Sequence, residues 1–102
     1  MKEIQKQVDE WTKHYKVQYW QPLEIMTRLT EEVGELAREI NHRYGPKKKK
    51  EEEDNKEIGD EIADVIYTLV CMANSLKIDL DDSFKKMMDK LYSRDKDRFE
   101  KK

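Results

Sequence analysis

Residues 29–37 read Leu29-Thr30-Glu31-Glu32-Val33-Gly34-Glu35-Leu36-Ala37, and they decide the fold expected of this chain. Apolar side chains recur here at intervals of three and four residues, at Met26, Leu29, Val33, Leu36, Ala37 and Ile40. This spacing predicts one apolar stripe along an amphipathic helix, and carboxylates border the stripe. A second segment of the same kind, Glu61-Ile62-Ala63-Asp64, follows after a charged run.

The remaining sequence predicts three further helices and no strand. A helix is expected over residues 3–16, because apolar groups lie at positions 4, 8, 11 and 15. The central helix is expected from Pro22, which suits a first turn, to about Tyr44, before Gly45-Pro46. A third helix is expected from near Asn55, and a fourth after the N-cap Asp79.

Composition and charge restrict the class of protein. The 102 residues predict a single domain over 1–102, with a charged loop at 45–54 and a flexible tail at 96–102. The loop is expected to be solvated, with the alternative that one or two of its lysines reach an anionic ligand. The net charge is −2, so no nucleic-acid partner is expected.

The predicted location is the cytoplasm. Residues 1–10 are polar rather than signal-like, and no apolar run approaches the roughly 20 residues of a membrane span, so no membrane partner is expected. The single cysteine, Cys71, excludes an intrachain disulfide and suits a reducing compartment. The third helix is apolar on every side from Leu69 to Ala73, which predicts a homo-oligomer that covers it.

The carboxylates of the two central helices are expected to share one groove. At about 100° per residue, Glu32 and Glu35 lie about 80° and 140° from the stripe centre of their helix. Glu61 and Asp64 lie about 100° and 160° from their own stripe, on the same rotational side. A short connection makes these helices antiparallel neighbours, so all four carboxylates line the same edge of the interface.

Four carboxylates in one groove repel each other, and a divalent cation relieves that repulsion. All-oxygen ligands suit Mg²⁺ or Mn²⁺ rather than zinc or copper. The alternative is that these are ordinary solvated acidic side chains. A second Glu-x-x-Asp pair, Glu57 and Asp60, overlaps the first and is a less favoured choice of ligands.

The two acidic motifs resemble those of the MazG-like all-α nucleoside triphosphate pyrophosphohydrolases. The resemblance rests on Glu-Glu-x-x-Glu at 31–35 and Glu-x-x-Asp at 61–64, with their flanks at 29–39 and 60–67, and it covers residues 3–95. It implies an all-α MazG-like bundle of about four helices per chain, assembled as a homodimer or a dimer of dimers. It also implies hydrolysis of nucleoside triphosphates, ribo or deoxy and including non-canonical forms, to monophosphate and pyrophosphate, as nucleotide-pool housekeeping.

The resemblance also implies roles for individual residues. Glu32, Glu35, Glu61 and Asp64 would bind Mg²⁺, with Mn²⁺ as a substitute, and Glu31 would orient or deprotonate the attacking water.

The substrate-binding residues expected from the resemblance are Trp20, Tyr67, Lys90 and Arg94. Lys90 occupies the position where some relatives carry a phosphate-binding asparagine. Tyr67 is one position from a tyrosine that contacts phosphate in some relatives, and a packing role at the edge of the core is its alternative. Trp20 and Tyr19 are candidates to stack on a nucleobase, although packing is the alternative for aromatic residues at a helix start.

Two other functions remain as alternatives. Glu39 and His42 form a Glu-x-x-His motif of the kind used in di-iron bundles, but such sites need two motifs on different helices. A non-enzymatic helical interaction module would use the acidic groups as a solvated face and Leu69–Ala73 as its contact surface.

Overall fold

The structure, a computed structural model, describes residues 1–46, 56–95 and 97–102. These residues form four helices: α1 (Lys2–Thr12), α2 (Pro22–Tyr44), α3 (Lys56–Ser75) and α4 (Leu80–Ser93). No strand occurs in the described ranges, so the predicted all-α fold with four helices is confirmed. Most of the charged loop expected at 45–54 lies outside the described residues. No helix in the described part of the chain is long and apolar enough to cross a membrane.

The centre of the fold is the pair formed by α2 and α3, which pack together more extensively than any other two helices. Glu32 lies beside Asp64, whereas Ile25, earlier in α2, lines the same cavity as Cys71, later in α3. This order means that the two helices run antiparallel, as expected. α1 packs on the C-terminal part of α3, and the buried apolar side chains are Val8, Ile25, Val70 and Ala73.

The predicted ends of α2 are confirmed. Pro22 lies in the first turn, and the N-cap Gln21 donates its backbone N–H to Glu24 Oε1 at 3.1 Å. At the other end, the Gly45 N–H donates to the Asn41 carbonyl at 2.8 Å. Both ends therefore satisfy backbone groups that a helix terminus would otherwise leave without partners.

The first helix is shorter than predicted, because α1 ends at Thr12 rather than continuing to residue 16. The Thr12 hydroxyl donates to the Val8 carbonyl at 3.0 Å, and Gln18 and Tyr19 fold back to bind Asp9. These tertiary bonds turn the chain where its apolar spacing alone favours more helix. Tyr15 consequently lies on a cavity wall instead of in a helix stripe.

The buried face of α2 is also rotated from the predicted stripe. Ile25 and Glu32 are the buried residues of this helix, whereas Val33 remains 47% exposed. In α3, Thr68, Val70 and Ala73 are buried, whereas Leu69 is 45% exposed. The carboxylate of Glu32 therefore lies in the helix–helix interface rather than on its flank.

Helix α4 is attached to the rest of the molecule mainly at its N-terminus. Asp79 caps it by accepting from the backbone N–H groups of Asp81 and Asp82, as predicted for this residue. Gln5 on α1 donates to the Ile78 carbonyl and accepts from the Leu80 N–H. The helix itself has no buried residue, although Phe84, Met87 and Leu91 form an apolar stripe along it.

The chain is more extended than a compact domain of its length. Its radius of gyration is 17.2 Å, whereas a compact chain of 100 residues has about 13 Å. Large apolar side chains on α4 face solvent, with Phe84 57% exposed and Tyr92 73% exposed. The single chain therefore leaves an apolar surface that no described residue covers.

Candidate active site

Three carboxylates converge where α2 and α3 face each other. One carboxylate oxygen each from Glu32, Glu61 and Asp64 lies within 4.8 Å of the other two. Glu32 comes from α2, and Glu61 and Asp64 come from successive positions on one face of α3. The antiparallel pairing of the two helices brings them to the same height.

Two carboxylate oxygens of this cluster lack partners. Glu32 is only 3% exposed, and its Oε2 has no hydrogen-bond partner among the described residues. The buried Oε2 of Glu61 is in the same condition. A buried oxygen without a partner is costly, so these atoms indicate a ligand that binds oxygen.

The charges of the cluster oppose one another. Burial raises the pKa of Glu32 above its ordinary value, the Arg28 guanidinium acts in the opposite direction, and nearby Glu35 and Asp64 raise the pKa further. Burial also raises the pKa of Glu61, and the charges of Glu35 and Asp64 add to this effect. Among the described residues, Arg28 therefore offsets only part of the repulsion between these carboxylates.

The donor set fits a hard divalent cation. The three converging groups are all carboxylates, which suit Mg²⁺, Mn²⁺ or Ca²⁺. Glu35 lies one helical turn beyond Glu32, and its charge acts on both Glu32 and Glu61, so it borders the same place. No histidine belongs to this cluster within the described ranges, so the di-iron alternative gains no support from His42.

Glu31 lies at the outer edge of the cluster. It is exposed, and its Oε2 lies 3.4 Å from Arg28 Nη1. The other terminal nitrogen of Arg28, Nη2, lies 2.7 Å from Glu32 Oε1. One guanidinium therefore links the exposed Glu31 and the buried Glu32.

A cavity of about 790 Å³ opens beside the carboxylates. Glu32 and Asp64 form part of its wall, so the cluster and the cavity are continuous. Its aromatic lining consists of Trp11, Tyr15, Tyr19, Trp20 and Tyr67. Thr12, Gln18 and Thr68 add polar groups to the wall. Apolar walls with a few polar groups are typical of small-molecule sites.

The segment that carries much of the aromatic wall is anchored by Asp9. Tyr19 donates its hydroxyl to Asp9 Oδ1 at 2.8 Å, and Gln18 Nε2 donates to the same oxygen at 3.0 Å. Asn74 on α3 donates to the Tyr19 hydroxyl at 3.0 Å. The hydrogen bond from Tyr19 and the contact with Lys13 lower the pKa of Asp9, so its charge is present at neutral pH. This network fixes the wall against both α1 and α3.

Tyr67 faces the cavity one turn beyond Asp64, beside Cys71. Burial and the neighbouring thiol raise the pKa of Tyr67 to about 12. Its hydroxyl therefore stays protonated at neutral pH and can act as a hydrogen-bond donor toward a ligand.

The predicted substrate-binding residues divide into two groups. Trp20 and Tyr67 line the cavity. Lys90 and Arg94 belong to α4 and its C-cap, and neither contributes to the cavity wall of this chain. The motif Glu57…Asp60 contributes no ligand to the cluster formed by Glu32, Glu61 and Asp64.

Sequence reasoning missed the residues that shape the cavity. Asp9 has no local signal, because its role depends on partners nine and ten positions away. Arg28 is detectable as a basic residue one turn before the acidic motif, a spacing that predicts ion pairs along a helix. Trp11 was expected in a packing stripe but lies on the cavity wall.

Comparison with known proteins gives consistent matches over most of the chain. Residues 21–99 match the family model of the MazG nucleotide pyrophosphohydrolase domain. The uncharacterized protein YpjD of Bacillus subtilis strain 168 is 53% identical over 102 residues, which is all of this chain and 92% of YpjD.

Two solved structures resemble this one. The crystal structure of YPJD from Bacillus subtilis, provisionally described as a pyrophosphatase, has a TM-score of 0.82 at 53% identity and covers 87% of this chain and 91% of that chain. The Bacillus-conserved MazG protein, described as a nucleotide pyrophosphohydrolase, has a TM-score of 0.80 at 46% identity. That match covers 94% of this chain and 93% of the other.

Proposed function

The chain belongs to the MazG nucleotide pyrophosphohydrolase family, and on that premise we propose that it hydrolyses nucleoside triphosphates to the monophosphate and pyrophosphate with Mg²⁺. The substrates are ribo- or deoxynucleotides, including non-canonical forms, and the reaction serves to clean the nucleotide pool of the cytoplasm. Mn²⁺ substitutes for Mg²⁺ because it accepts the same oxygen ligands.

One observation carries this proposal: buried carboxylate oxygens without partners lie next to an aromatic cavity. The unpartnered carboxylate oxygens of Glu32 and Glu61 are suited to bind a cation. The adjoining cavity has the size and lining of a site for a small organic molecule. A nucleotide fits both parts of the site, because its phosphates bind a divalent cation and its base stacks on aromatic side chains.

The acidic residues have separate roles in this proposal. Glu32, Glu61 and Asp64, with Glu35 beside them, hold the divalent cation. When bound, the cation neutralises charge on the phosphate oxygens and lowers the pKa of its water. Glu31 is exposed at the edge of the cluster, where a carboxylate can orient the attacking water and accept its proton.

The aromatic wall binds the nucleoside. Trp20 and Trp11 offer flat surfaces for a base, and base–aromatic stacking contributes about 1–3 kcal/mol per base. The Gln18 amide and the Thr12 hydroxyl lie on the same wall and supply hydrogen bonds. Tyr67 donates its hydroxyl to the ligand near the carboxylates.

The active form is a homodimer or a dimer of dimers. The extended shape of the single chain and the exposed apolar side chains of α4 support this assembly, because a second copy buries them. Lys90 and Arg94, which do not line the cavity of their own chain, act on phosphates only if a neighbouring subunit brings them to its site. Light scattering at micromolar concentration tests the assembly, and a monomer would contradict it.

The reaction is tested by product analysis. The protein is incubated with Mg²⁺ and a panel of ribo-, deoxy- and oxidised nucleoside triphosphates, and the products are separated by ion exchange. Equal amounts of monophosphate and pyrophosphate are expected. Release of single phosphates, or no turnover across the panel, would contradict the proposal.

A pair of neighbouring aspartates provides the matched control. Asp64→Asn removes a carboxylate of the cluster and is expected to abolish turnover. Asp60→Asn makes the same chemical change one turn earlier on an exposed position of α3, and it is expected to preserve turnover. Equal losses in both variants would contradict the assignment of the activity to the cluster, because Asp60 lies outside it.

A further inference from the structure

The cavity has an unusual distribution of charge for a site that receives phosphates. Two carboxylates, Glu32 and Asp64, lie on its wall, and of the described lining residues only Arg28 carries a positive charge. A triphosphate carries several negative charges, so it needs cations beyond one metal ion. Arg28 is the residue placed to supply one.

Arg28 is engaged with carboxylates in this structure. Its Nη2 lies 2.7 Å from Glu32 Oε1, and its Nη1 lies 3.4 Å from Glu31 Oε2. The Glu32 side chain is only 4% exposed, whereas that of Arg28 is 50% exposed. The guanidinium can therefore leave Glu32 toward the cavity without crossing a packed core, but Glu32 cannot follow it.

A divalent cation and Arg28 compete for the same carboxylate. Both are positive, so a cation held by Glu32, Glu61 and Asp64 repels a guanidinium that still contacts Glu32. The planar guanidinium also matches phosphate oxygens, with which it forms paired hydrogen bonds. Phosphates that arrive with the cation thus offer Arg28 a replacement for the carboxylate it loses.

We propose that Arg28 is an exchangeable counter-ion: it pairs with Glu32 while no cation is bound, and it moves to the nucleotide phosphates when a divalent cation takes that carboxylate. The identity of the anion rests on the proposed function, but the exchange itself does not. Before the cation binds, the guanidinium of Arg28 neutralises Glu32. After the cation binds, the same guanidinium contacts the phosphates of the substrate.

The test measures two binding constants in Arg28→Gln by calorimetry. With Mg²⁺ alone, the variant is expected to bind roughly three- to ten-fold more tightly than the parent, because the competing charge is gone. With inorganic pyrophosphate at saturating Mg²⁺, it is expected to bind about ten-fold or more weakly, because a charge-assisted contact is lost. Opposite shifts are the signature of exchange.

Two further variants serve as controls. Arg38→Gln removes the same charge from an exposed position of α2 outside the cavity wall, and it is expected to leave both constants near the parent values. Arg28→Lys keeps the charge that Glu32 needs but lacks the planar fork, so it should weaken pyrophosphate binding while Mg²⁺ binding stays close to the parent. If Arg28→Gln does not fold, pyrophosphate binding is measured in Arg28→Lys instead. An affinity of Arg28→Lys for pyrophosphate equal to that of the parent would refute the exchange.

The outcomes separate this inference from the proposed function. Weaker Mg²⁺ binding in Arg28→Gln would overturn the inference, since Arg28 would then only orient Glu32. Unchanged pyrophosphate binding would also overturn it. Opposite shifts in a protein that cleaves no nucleoside triphosphate would support the exchange and reject the proposed reaction.

Discussion

Removal of one hydroxyl, in Tyr19→Phe, is expected to loosen the aromatic wall of the cavity. That hydroxyl donates to Asp9 Oδ1 at 2.8 Å and accepts from Asn74 Nδ2 at 3.0 Å, so it joins the segment between α1 and α2 to both α1 and α3. A hydrogen bond to a charged group contributes about 1.5–3 kcal/mol. Because the pair is partly exposed and Gln18 still binds Asp9, we expect a loss of about 1–2 kcal/mol in the free energy of unfolding.

The assay is urea denaturation at a fixed protein concentration, because assembly would add to the apparent stability. A loss of 1 kcal/mol lowers Tm by about 4–8 °C in a domain of up to 100 residues, which a thermal scan resolves easily. Tyr15→Phe is the matched control, because Tyr15 is 54% exposed and lies outside the network that joins Tyr19 to Asp9 and Asn74. The same deletion is expected to cost little there.

The pH dependence identifies the partner of the lost hydroxyl. The hydrogen bond from Tyr19 lowers the pKa of Asp9 below its ordinary value of 3.8. A carboxyl with a lowered folded-state pKa contributes stability above its unfolded pKa and loses it as the pH falls through the folded value. The difference between Tyr19→Phe and the parent should therefore shrink below pH 3.8. A difference that stays constant into that range, or one below about 0.3 kcal/mol at pH 7, would refute the reasoning.

Three other outcomes are expected. Because the folded-state pKa values of Glu32 and Glu61 are raised above 4.5, the metal-free protein should lose stability as the pH rises from 4.5 toward neutrality, and millimolar Mg²⁺ should restore it; a flat thermal-shift profile without metal would contradict this. Phe84→Glu places a charge on the exposed face of α4 and should dissociate the oligomer in light scattering while the circular dichroism spectrum is retained. Trp20→Ala should raise KM for the best nucleotide by a factor that corresponds to about 1–3 kcal/mol, with a smaller change in kcat, and an unchanged KM would remove Trp20 from the base site.

The helices and the acidic motifs are readable in the sequence because both are local patterns. Apolar spacing, Pro22 and Gly45 define α2 without reference to any other helix, and the carboxylates of Glu61 and Asp64 follow from their positions along α3. The orientation of α2 is not readable in the same way. A stripe drawn through Val33 is more apolar than the face that is buried, which carries Ile25 and Glu32, so the orientation of α2 depends on its packing against α3.

The cavity could not be predicted because it is a tertiary feature. The end of α1 depends on Asp9, whose partners Gln18 and Tyr19 lie beyond the helix that apolar spacing predicts to residue 16. A local pattern also gives no sign that Arg28 faces the same space as the aromatic side chains. Hydrogen bonds between residues far apart in sequence determine the end of α1 and the cavity wall. Such bonds leave no periodic pattern in the sequence.

The bonds that Gln5 makes with Asn74, Ile78 and Leu80 set an order of events during synthesis on the ribosome. The hydrogen-bond partners of Gln5 in α1 are synthesised about seventy residues after it. Helices α2 and α3 are closer in sequence, so they can pair once α3 has been synthesised. The carboxylate residues, of which Asp64 is the last, are therefore synthesised before Asn74, which ties the aromatic wall to α3. A cation that binds at that stage is expected to stabilise the hairpin of α2 and α3.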